Sequence, residues 1–179
     1  MTKLIPIVVD LDGTLVRDDT LYVFAWQMLV RKPWTCFMLP ISLLKGKAAM
    51  KQYMASVHKL DPSPLNFHAD LIDWLKLEKS LGRKIVLCTA SSQQVADTIA
   101  DHVGFFDEVI GSGEQVNLSG LRKAAKLVER YGQKGFDYCG NASVDLAVWK
   151  DSHAAIVVNA KQGLAEQAAE LCPVTMTFK

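Results

Sequence analysis

The sequence predicts a doubly wound, Rossmann-like α/β fold with a parallel sheet of about five strands and a small all-α cap inserted into it. Three observations predict this fold. Short apolar, β-branched runs, typical of strands buried on both faces, alternate with amphipathic helical segments. Half of the 179 residues are apolar, which excludes a disordered chain and suffices for one well-packed core. A long interval without a strand pattern separates the first two strands, which indicates an insertion.

Five apolar runs predict the strands of the sheet. The first run covers residues 4–9, where Pro6 removes one hydrogen bond of the ladder. The other runs cover residues 84–88, 108–110, 136–139 and 154–158, with a short sixth at 174–177. Helical patterns alternate with them at residues 92–103, 121–131, 142–150 and 162–171. This alternation is typical of a parallel sheet, whose strands need crossover connections.

The insertion covers residues 15–81, between the first two strands. It contains four helical stretches, at residues 20–31, 34–45, 46–59 and 65–81. We therefore predict two units, a core of residues 1–14 and 82–179 and a helical cap of residues 15–81. The cap follows the first strand, near the edge at which an open α/β sheet binds its ligand.

The cap has an uneven charge distribution. Residues 31–59 contain no acidic residue, although the whole chain has a net charge of only +1. Trp34, Phe37 and Tyr53 lie among the basic residues, and this combination favours contact with an anionic membrane surface or a phosphorylated lipid. The alternative is a packed helical bundle whose lysines are merely solvated. The six basic residues are Arg31, Lys32, Lys45, Lys47, Lys51 and Lys59.

Two partner classes are disfavoured by the sequence. No apolar run reaches the ~18 residues of a transmembrane helix, because Arg31, Lys32 and Pro33 divide the apolar residues of the cap. The near-neutral charge gives no sign of a nucleic-acid partner.

Four widely separated cysteines predict free thiols in a reducing compartment, so the expected location is the cytoplasm, free or at its membrane face. They are Cys36, Cys88, Cys139 and Cys172.

The sharpest chemical signal is the pair Asp10 and Asp12 in the stretch VVDLDGTL, at the end of the first strand. Alternate residues of an extended chain face the same side, so both carboxylates share one space. Their charges repel unless a cation joins them. Mg²⁺ suits such a site, since it prefers oxygen ligands and keeps water or phosphate in its shell.

These residues resemble the first motif of the haloacid dehalogenase-like hydrolase superfamily, which consists mostly of phosphatases and phosphotransferases. The stretch VLCT, which ends at Thr89, is similar to the second motif, and Lys123 falls where the motif-three lysine is expected. The stretch GNASVD, from Gly140 to Asp145, resembles the fourth motif, GDxxxD. The inserted cap matches the family's helical cap in position, so the resemblance covers essentially the whole chain.

A narrower resemblance concerns one subgroup of that superfamily. The stretches KGKAAMK, GRKIVLCTAS and FDYCGN look like the domain fused ahead of intramembrane polyprenyltransferases of the ubiquinone-biosynthesis type. That resemblance implies a prenyl-linked phosphate or a membrane as a neighbour of the basic cap.

The family resemblance implies a role for each site residue. Asp10 would attack phosphorus to form an aspartyl-phosphate, and Asp12 would act as general acid and then as general base. Lys123 would orient the nucleophile, with Arg122 and Lys126 as alternatives. The implied catalytic residues are Asp10, Asp12, Thr89 and Lys123, the implied phosphate-binding residues are Thr89, Ala90, Ser91 and Lys123, and the implied Mg²⁺ ligands are Asp10, Asp12, Asn141 and Asp145.

Asn141 departs from the fourth motif, which has an aspartate there. An amide oxygen can ligate Mg²⁺ without contributing negative charge, so metal affinity should fall. Two functions stay open. One is a Mg²⁺-dependent phosphatase acting on a small metabolite or a lipid-linked phosphate. The other is a weak or inactive phosphate-binding module that works beside a membrane prenyltransferase.

Two other classes of protein and one glycine-rich stretch can be judged from the same residues. A dehalogenase is disfavoured by Asp12, because that chemistry needs neither an acid there nor a metal. A phosphoacceptor receiver domain is disfavoured because its aspartate would follow the middle strand rather than the first. The stretch Gly111-Ser112-Gly113 lacks the third glycine of a dinucleotide fingerprint and predicts a flexible loop at the rim of the site.

Overall fold

A computed structural model of the protein describes residues 4–44, 46–113 and 117–179. Its first half contains β1 (Ile7–Val9), α1 (Thr20–Arg31), a 3₁₀ helix (Pro33–Met38), α2 (Leu39–Leu44), α3 (Lys47–Val57) and α4 (Ala69–Ser80). The second half contains β2 (Ile85–Ser92), α5 (Gln93–Val103), β3 (Glu108–Ser112), α6 (Leu121–Tyr131), β4 (Asp137–Gly140), a 3₁₀ turn (Ser143–Asp145), α7 (Leu146–Trp149), β5 (Ala154–Val158), α8 (Leu164–Ala169) and β6 (Val174–Phe178).

The six strands form one parallel sheet in the order β3-β2-β1-β4-β5-β6. The central strand β1 is short, since its first ladder bond runs from Ile7 N, the residue after Pro6, to Lys84 O. Val8 lies between Val86 of β2 and Tyr138 of β4. The direction of the connections reverses at β1, which opens a crevice at the carboxyl ends of these strands. The predicted α/β fold is confirmed, and the short sixth run forms β6.

Both faces of the sheet are covered by helices. Ile7, Val9 and Ile85 point to one side, where they pack with buried residues of α1, α3, α4 and α5. Val8 and Val86 point to the other side, against α6, α7 and α8. This alternation is the side-chain period of a strand, and the cover on both faces explains the continuous apolar runs in the sequence.

The two ends of the insertion meet at the edge of the core. Val16 and Phe67 form an isolated antiparallel bridge, and His68 N donates to Leu15 O at 2.9 Å. Helix α4 then packs Leu71 and Leu75 into the same core cluster as the strands. The predicted bounds of the cap, residues 15–81, stay a prediction.

The helical stretch predicted at residues 34–45 is present over the described residues 33–44, as a 3₁₀ helix followed by the short α2. One local prediction is wrong. Gly111 and Ser112 do not form a rim loop but end strand β3. A β carbon at Gly111 would lie 2.5 Å from Gln93 Cα, so only glycine lets β3 run this close to the start of α5.

All four cysteines are free, and three of them are buried. Within the described parts of the chain, no helix has both the length and the apolar character needed to cross a membrane.

Candidate active site

The chain turns sharply after β1, and this turn positions the two aspartates. Asp10 N donates to Cys139 O of β4 at 3.0 Å, and Leu15 N donates to Asp10 O at 3.2 Å. Gly13 occupies the left-handed region with a φ of +78°, and a β carbon there would lie 2.0 Å from Asn141 Nδ2. Glycine is therefore required at this position for two reasons. The backbone is in the left-handed region, and the Asn141 side chain leaves no room for a β carbon.

Asp10 forms an ion pair with a buried lysine. Lys123 lies in the first turn of α6, and its Nζ donates to Asp10 Oδ1 at 2.6 Å. Burial lowers the pKa of Lys123, but the negative charges around it, Asp10 foremost, and its hydrogen bond to Asp10 together outweigh burial, so the pKa lies above its usual value. Lys126 instead pairs with Glu129 at the surface. Of the lysines in α6, the structure thus brings Lys123 to the nucleophile predicted from the sequence.

Tyr138 joins Lys123 to Asp145 beneath the site. Its hydroxyl accepts from Lys123 Nζ at 2.9 Å and donates to Asp145 Oδ1 at 2.9 Å. Burial raises the pKa of Tyr138 well above its usual value, so the hydroxyl stays a donor. The sequence analysis missed Tyr138. The available signal was a phenol in a strand buried on both faces, because a buried tyrosine hydroxyl needs a partner.

Asp12 is held by α1 and by the end of β2. Its Oδ1 accepts from Thr20 N at 2.7 Å and from Thr20 Oγ1 at 2.6 Å. Its Oδ2 accepts from Ser91 Oγ at 3.2 Å. Burial raises the pKa of Asp12, and the bonds from Thr20 only partly offset this. Thr20, which the sequence analysis also missed, therefore ties the first helix of the insertion to the predicted general acid.

The predicted phosphate-binding residues lie at the carboxyl end of β2, beside β1. Thr89 is fully buried, and its Oγ1 accepts from Ser91 N at 3.0 Å. Ser112 of β3 donates to Ala90 O at 2.9 Å, which fixes this stretch from the neighbouring strand. Ser91 thus faces Asp12, and the role of all three residues in binding phosphate stays a prediction.

The fourth motif lies over the turn that follows Asp10. Asn141 Oδ1 accepts from Thr14 Oγ1 at 3.3 Å. Asp145 is buried, and its Oδ2 accepts from the amides of Asn141 and Ala142, each at 3.0 Å. Burial and the charge of Asp10 raise the pKa of Asp145. Both oxygens of Asp145 are therefore engaged by protein donors.

The donor chemistry around Asp10 fits Mg²⁺ rather than a softer metal. The candidate ligands are oxygen atoms, from the side chains of Asp10 and Asn141 and from the main chain of Asp12, and Mg²⁺ is bound by few protein oxygens together with water and phosphate. Among the residues that the structure describes, no three His, Cys, Asp or Glu side chains gather as a metal cluster. Asn141 supplies an amide where the fourth motif of the family has a carboxylate.

The fold and this site define the chain as a hydrolase of the haloacid dehalogenase-like class. The model of the haloacid dehalogenase-like hydrolase family matches residues 7–148, and the chain belongs to that family. It is 32% identical over 154 residues to the uncharacterized protein y4nM of Sinorhizobium fredii. The match covers 86% of this chain and 30% of that protein, so the chain spans about a third of the length of this relative.

The fold is also similar to solved structures. A substrate-bound phosphoserine phosphatase superposes with a TM-score of 0.63 at 14% identity, over 99% of this chain and 94% of the other. A phospho-aspartyl intermediate analogue of phosphoserine phosphatase gives a TM-score of 0.60 at 12% identity, with the same two coverages. At these identities the similarity concerns the fold.

Proposed function

We propose that the chain hydrolyses phosphate monoesters, with Asp10 as the nucleophile. The observation that carries this proposal is the contact between Asp10 and the buried ammonium of Lys123, at the carboxyl edge of the sheet. A fixed positive charge orients the carboxylate and lies where negative charge develops during phosphoryl transfer. One structural neighbour is a phospho-aspartyl intermediate analogue of phosphoserine phosphatase. This neighbour supports a reaction through an aspartyl-phosphate.

The reaction would proceed in two steps. Asp10 Oδ2 attacks phosphorus while the bond to the leaving oxygen breaks, and Asp12 donates its proton to that oxygen. Asp12 then takes a proton from water, which attacks the aspartyl-phosphate and releases inorganic phosphate and free Asp10. Thr89 and Ser91 would hold the phosphoryl oxygens. The raised pKa of Asp12 supports the role of a general acid, which must carry a proton near neutral pH.

We propose Mg²⁺ as the cofactor, held by Asp10, the main-chain carbonyl of Asp12 and Asn141, with Asp145 nearby. When bound, it would neutralise the phosphoryl oxygens. Asp145 would position the Asn141 segment through its bonds to the amides of Asn141 and Ala142. Since Asn141 contributes no charge, we expect weak metal binding.

The proposed substrate is a small-metabolite or a lipid-linked phosphate, including a prenyl-linked one, and the proposed location is the cytoplasm. A second candidate function is phosphate binding without turnover, beside a membrane prenyltransferase. It is favoured by the amide of Asn141 and by the full engagement of Asp145 with protein donors.

The test is hydrolysis of p-nitrophenyl phosphate with and without Mg²⁺ by the wild-type chain and by Asp10→Asn. The control is Asp101→Asn, which changes an exposed carboxylate of α5. Mg²⁺-dependent release that is lost only in Asp10→Asn is the expected result. Equal release by both proteins would reject Asp10 as the nucleophile. No release by a folded chain that binds inorganic phosphate would favour the second function.

A further inference from the structure

Helix α1 has two apolar faces. Phe24 and Met28 on its inner face are buried in the core. A surface helix normally presents polar residues on its other side. The outward face of α1 instead carries four large apolar or aromatic side chains at helical spacing, each at least half exposed: Tyr22, Trp26, Leu29 and Val30.

The next twelve residues extend this exposed face. Residues 33–44, with the sequence PWTCFMLPISLL, contain no charged side chain, and none of them is buried in the 3₁₀ helix or in α2. Trp34 is 82% exposed and Leu44 is 89% exposed. The rings of Trp34 and Phe37 stack, with their centroids 6.5 Å apart.

The two parts form one continuous surface. A groove of about 630 Å³ is lined by Leu29 of α1 and by Pro33, Trp34, Cys36, Phe37 and Pro40. We call the outward face of α1 together with residues 33–44 the apolar cap surface. An apolar patch of this kind on a soluble domain indicates an interaction site.

The charge around the apolar cap surface selects the occupant. Residues 31–59 contain six basic residues and no acidic one. Asp61, which follows this segment, pairs with Arg31 at 3.0 Å, and Lys59 is exposed. Protruding aromatic side chains bordered by lysine and arginine are complementary to a bilayer, whose headgroups carry negative charge and whose acyl boundary accepts indole rings.

We propose that the apolar cap surface docks on an anionic lipid bilayer, with Trp34 and Phe37 in the acyl boundary and the exposed Arg31, Lys32 and Lys59 at the headgroups. This inference stands independently of the proposed hydrolysis, because it rests on side chains outside the site. It has one geometric consequence. Thr20, the first residue of α1, contacts Asp12, and the outward face of the same helix belongs to the apolar cap surface, so docking would hold the site near the bilayer.

The test is co-sedimentation of the chain with vesicles of phosphatidylcholine alone or mixed with phosphatidylglycerol. We expect binding to the mixed vesicles that weakens as salt is added, because salt screens the charges. The double variant Trp34→Ser, Phe37→Ser should bind at least about tenfold more weakly, because burial of these two aromatic rings drives insertion. The control is Leu121→Ser, which removes a 78% exposed apolar side chain of α6 and should bind as wild type does.

A second variant tests the charge. Lys59→Glu should weaken binding to the mixed vesicles and leave the weak binding to phosphatidylcholine unchanged. Wild-type binding by the double variant, or no binding of the folded chain to the mixed vesicles, would reject the proposal. So would a dimer in light scattering that Trp34→Ser disrupts, because the occupant would then be a second copy.

Discussion

Tyr138 and Lys123 meet in a 2.9 Å hydrogen bond directly beneath the Asp10 carboxylate. The two side chains come from β4 and α6, and both are buried. The Lys123 ammonium is therefore held by two hydrogen bonds, one to the Tyr138 hydroxyl and one to the Asp10 carboxylate. The orientation of the proposed nucleophile thus depends on a phenol two residues before the fourth motif.

Tyr138→Phe should weaken both the fold and the reaction. The change leaves Asp145 Oδ1 and Lys123 each without one buried partner, which costs about 1–3 kcal/mol of unfolding free energy. We expect a lower kcat and a nearly unchanged KM, because the variant alters the orientation of the nucleophile. Urea unfolding and steady-state kinetics measure the two effects. Tyr22→Phe, at an exposed position, is the control, and unchanged values in Tyr138→Phe would refute the role.

Lys123→Met should lower hydrolysis by about 100-fold or more, as does the loss of other preorganised charges at sites of developing negative charge. The matched control is Lys126→Met, which removes an exposed pair with Glu129. Such pairs contribute about 0–1 kcal/mol. Equal activity of the two variants would contradict the assignment of Lys123.

Asn141→Asp should tighten Mg²⁺ binding, because a carboxylate replaces an amide near Asp10. Isothermal titration with Mg²⁺ alone measures the change without requiring turnover, and we expect an affinity at least about tenfold higher, the scale on which changes at a metal site act. Asn66→Asp, at an exposed position, should leave the affinity unchanged. The same affinity in Asn141→Asp and wild type would place Asn141 outside the metal shell.

Gly13→Ala should destabilise the turn after β1 for two separable reasons. The left-handed backbone costs about 1–2 kcal/mol for a residue with a β carbon, and that carbon would also meet the Asn141 amide. Gly163→Ala is the matched control, since Gly163 has a φ of +86° and no atom within 4 Å of the added carbon. The difference between the two variants in thermal or urea unfolding measures the clash. A Gly13→Ala loss no larger than that of Gly163→Ala would exclude the clash.

Glu108 should make the fold sensitive to acid. Burial raises the pKa of this carboxyl, but the hydrogen bonds from Lys84, Tyr131 and Arg130 and the charge of Lys84 together outweigh burial and lower the pKa below its ordinary value of 4.5. The folded state therefore binds this proton less tightly than the unfolded state. The resulting stability is present above the ordinary pKa and is lost as the pH falls through the folded one.

Urea unfolding at about pH 7 and about pH 3 measures this effect. The Glu108→Gln variant should lose less stability between the two pH values than the wild type does. Glu129→Gln, which changes an exposed side chain, should behave as wild type. The same pH dependence in Glu108→Gln and wild type would disprove the contribution.

The core elements follow the sequence pattern closely, whereas the polar contacts of the site do not. Residues 121–131 and 154–158 have the predicted bounds, because a strong periodicity and a continuous apolar run define them locally. The described residues 33–44 are helical as predicted but divide into a 3₁₀ helix and the short α2; Pro40, which lacks an N–H, lies in the first turn of α2, where no ladder bond is lost. Tyr138 contacts Lys123 of another element, and Thr20 of α1 contacts Asp12 of the preceding turn. Hydrophobic periodicity carries no information on which side chains a tertiary fold brings together.

The position of β1 has a consequence for folding. Val8 pairs with Val86 on one side and with Tyr138 on the other. The central strand therefore pairs only with residues that lie far along the chain. Long-range parallel pairing of this kind slows folding, because the chain loses the entropy of loop closure before the strand contacts stabilise it. On a ribosome, Asp10 is made before Lys123, which lies 113 residues later in the chain, and before Asp145, which follows β4. The site is thus assembled only after these later residues have been made, and a nascent chain that ends before Lys123 carries the proposed nucleophile without its charge partner.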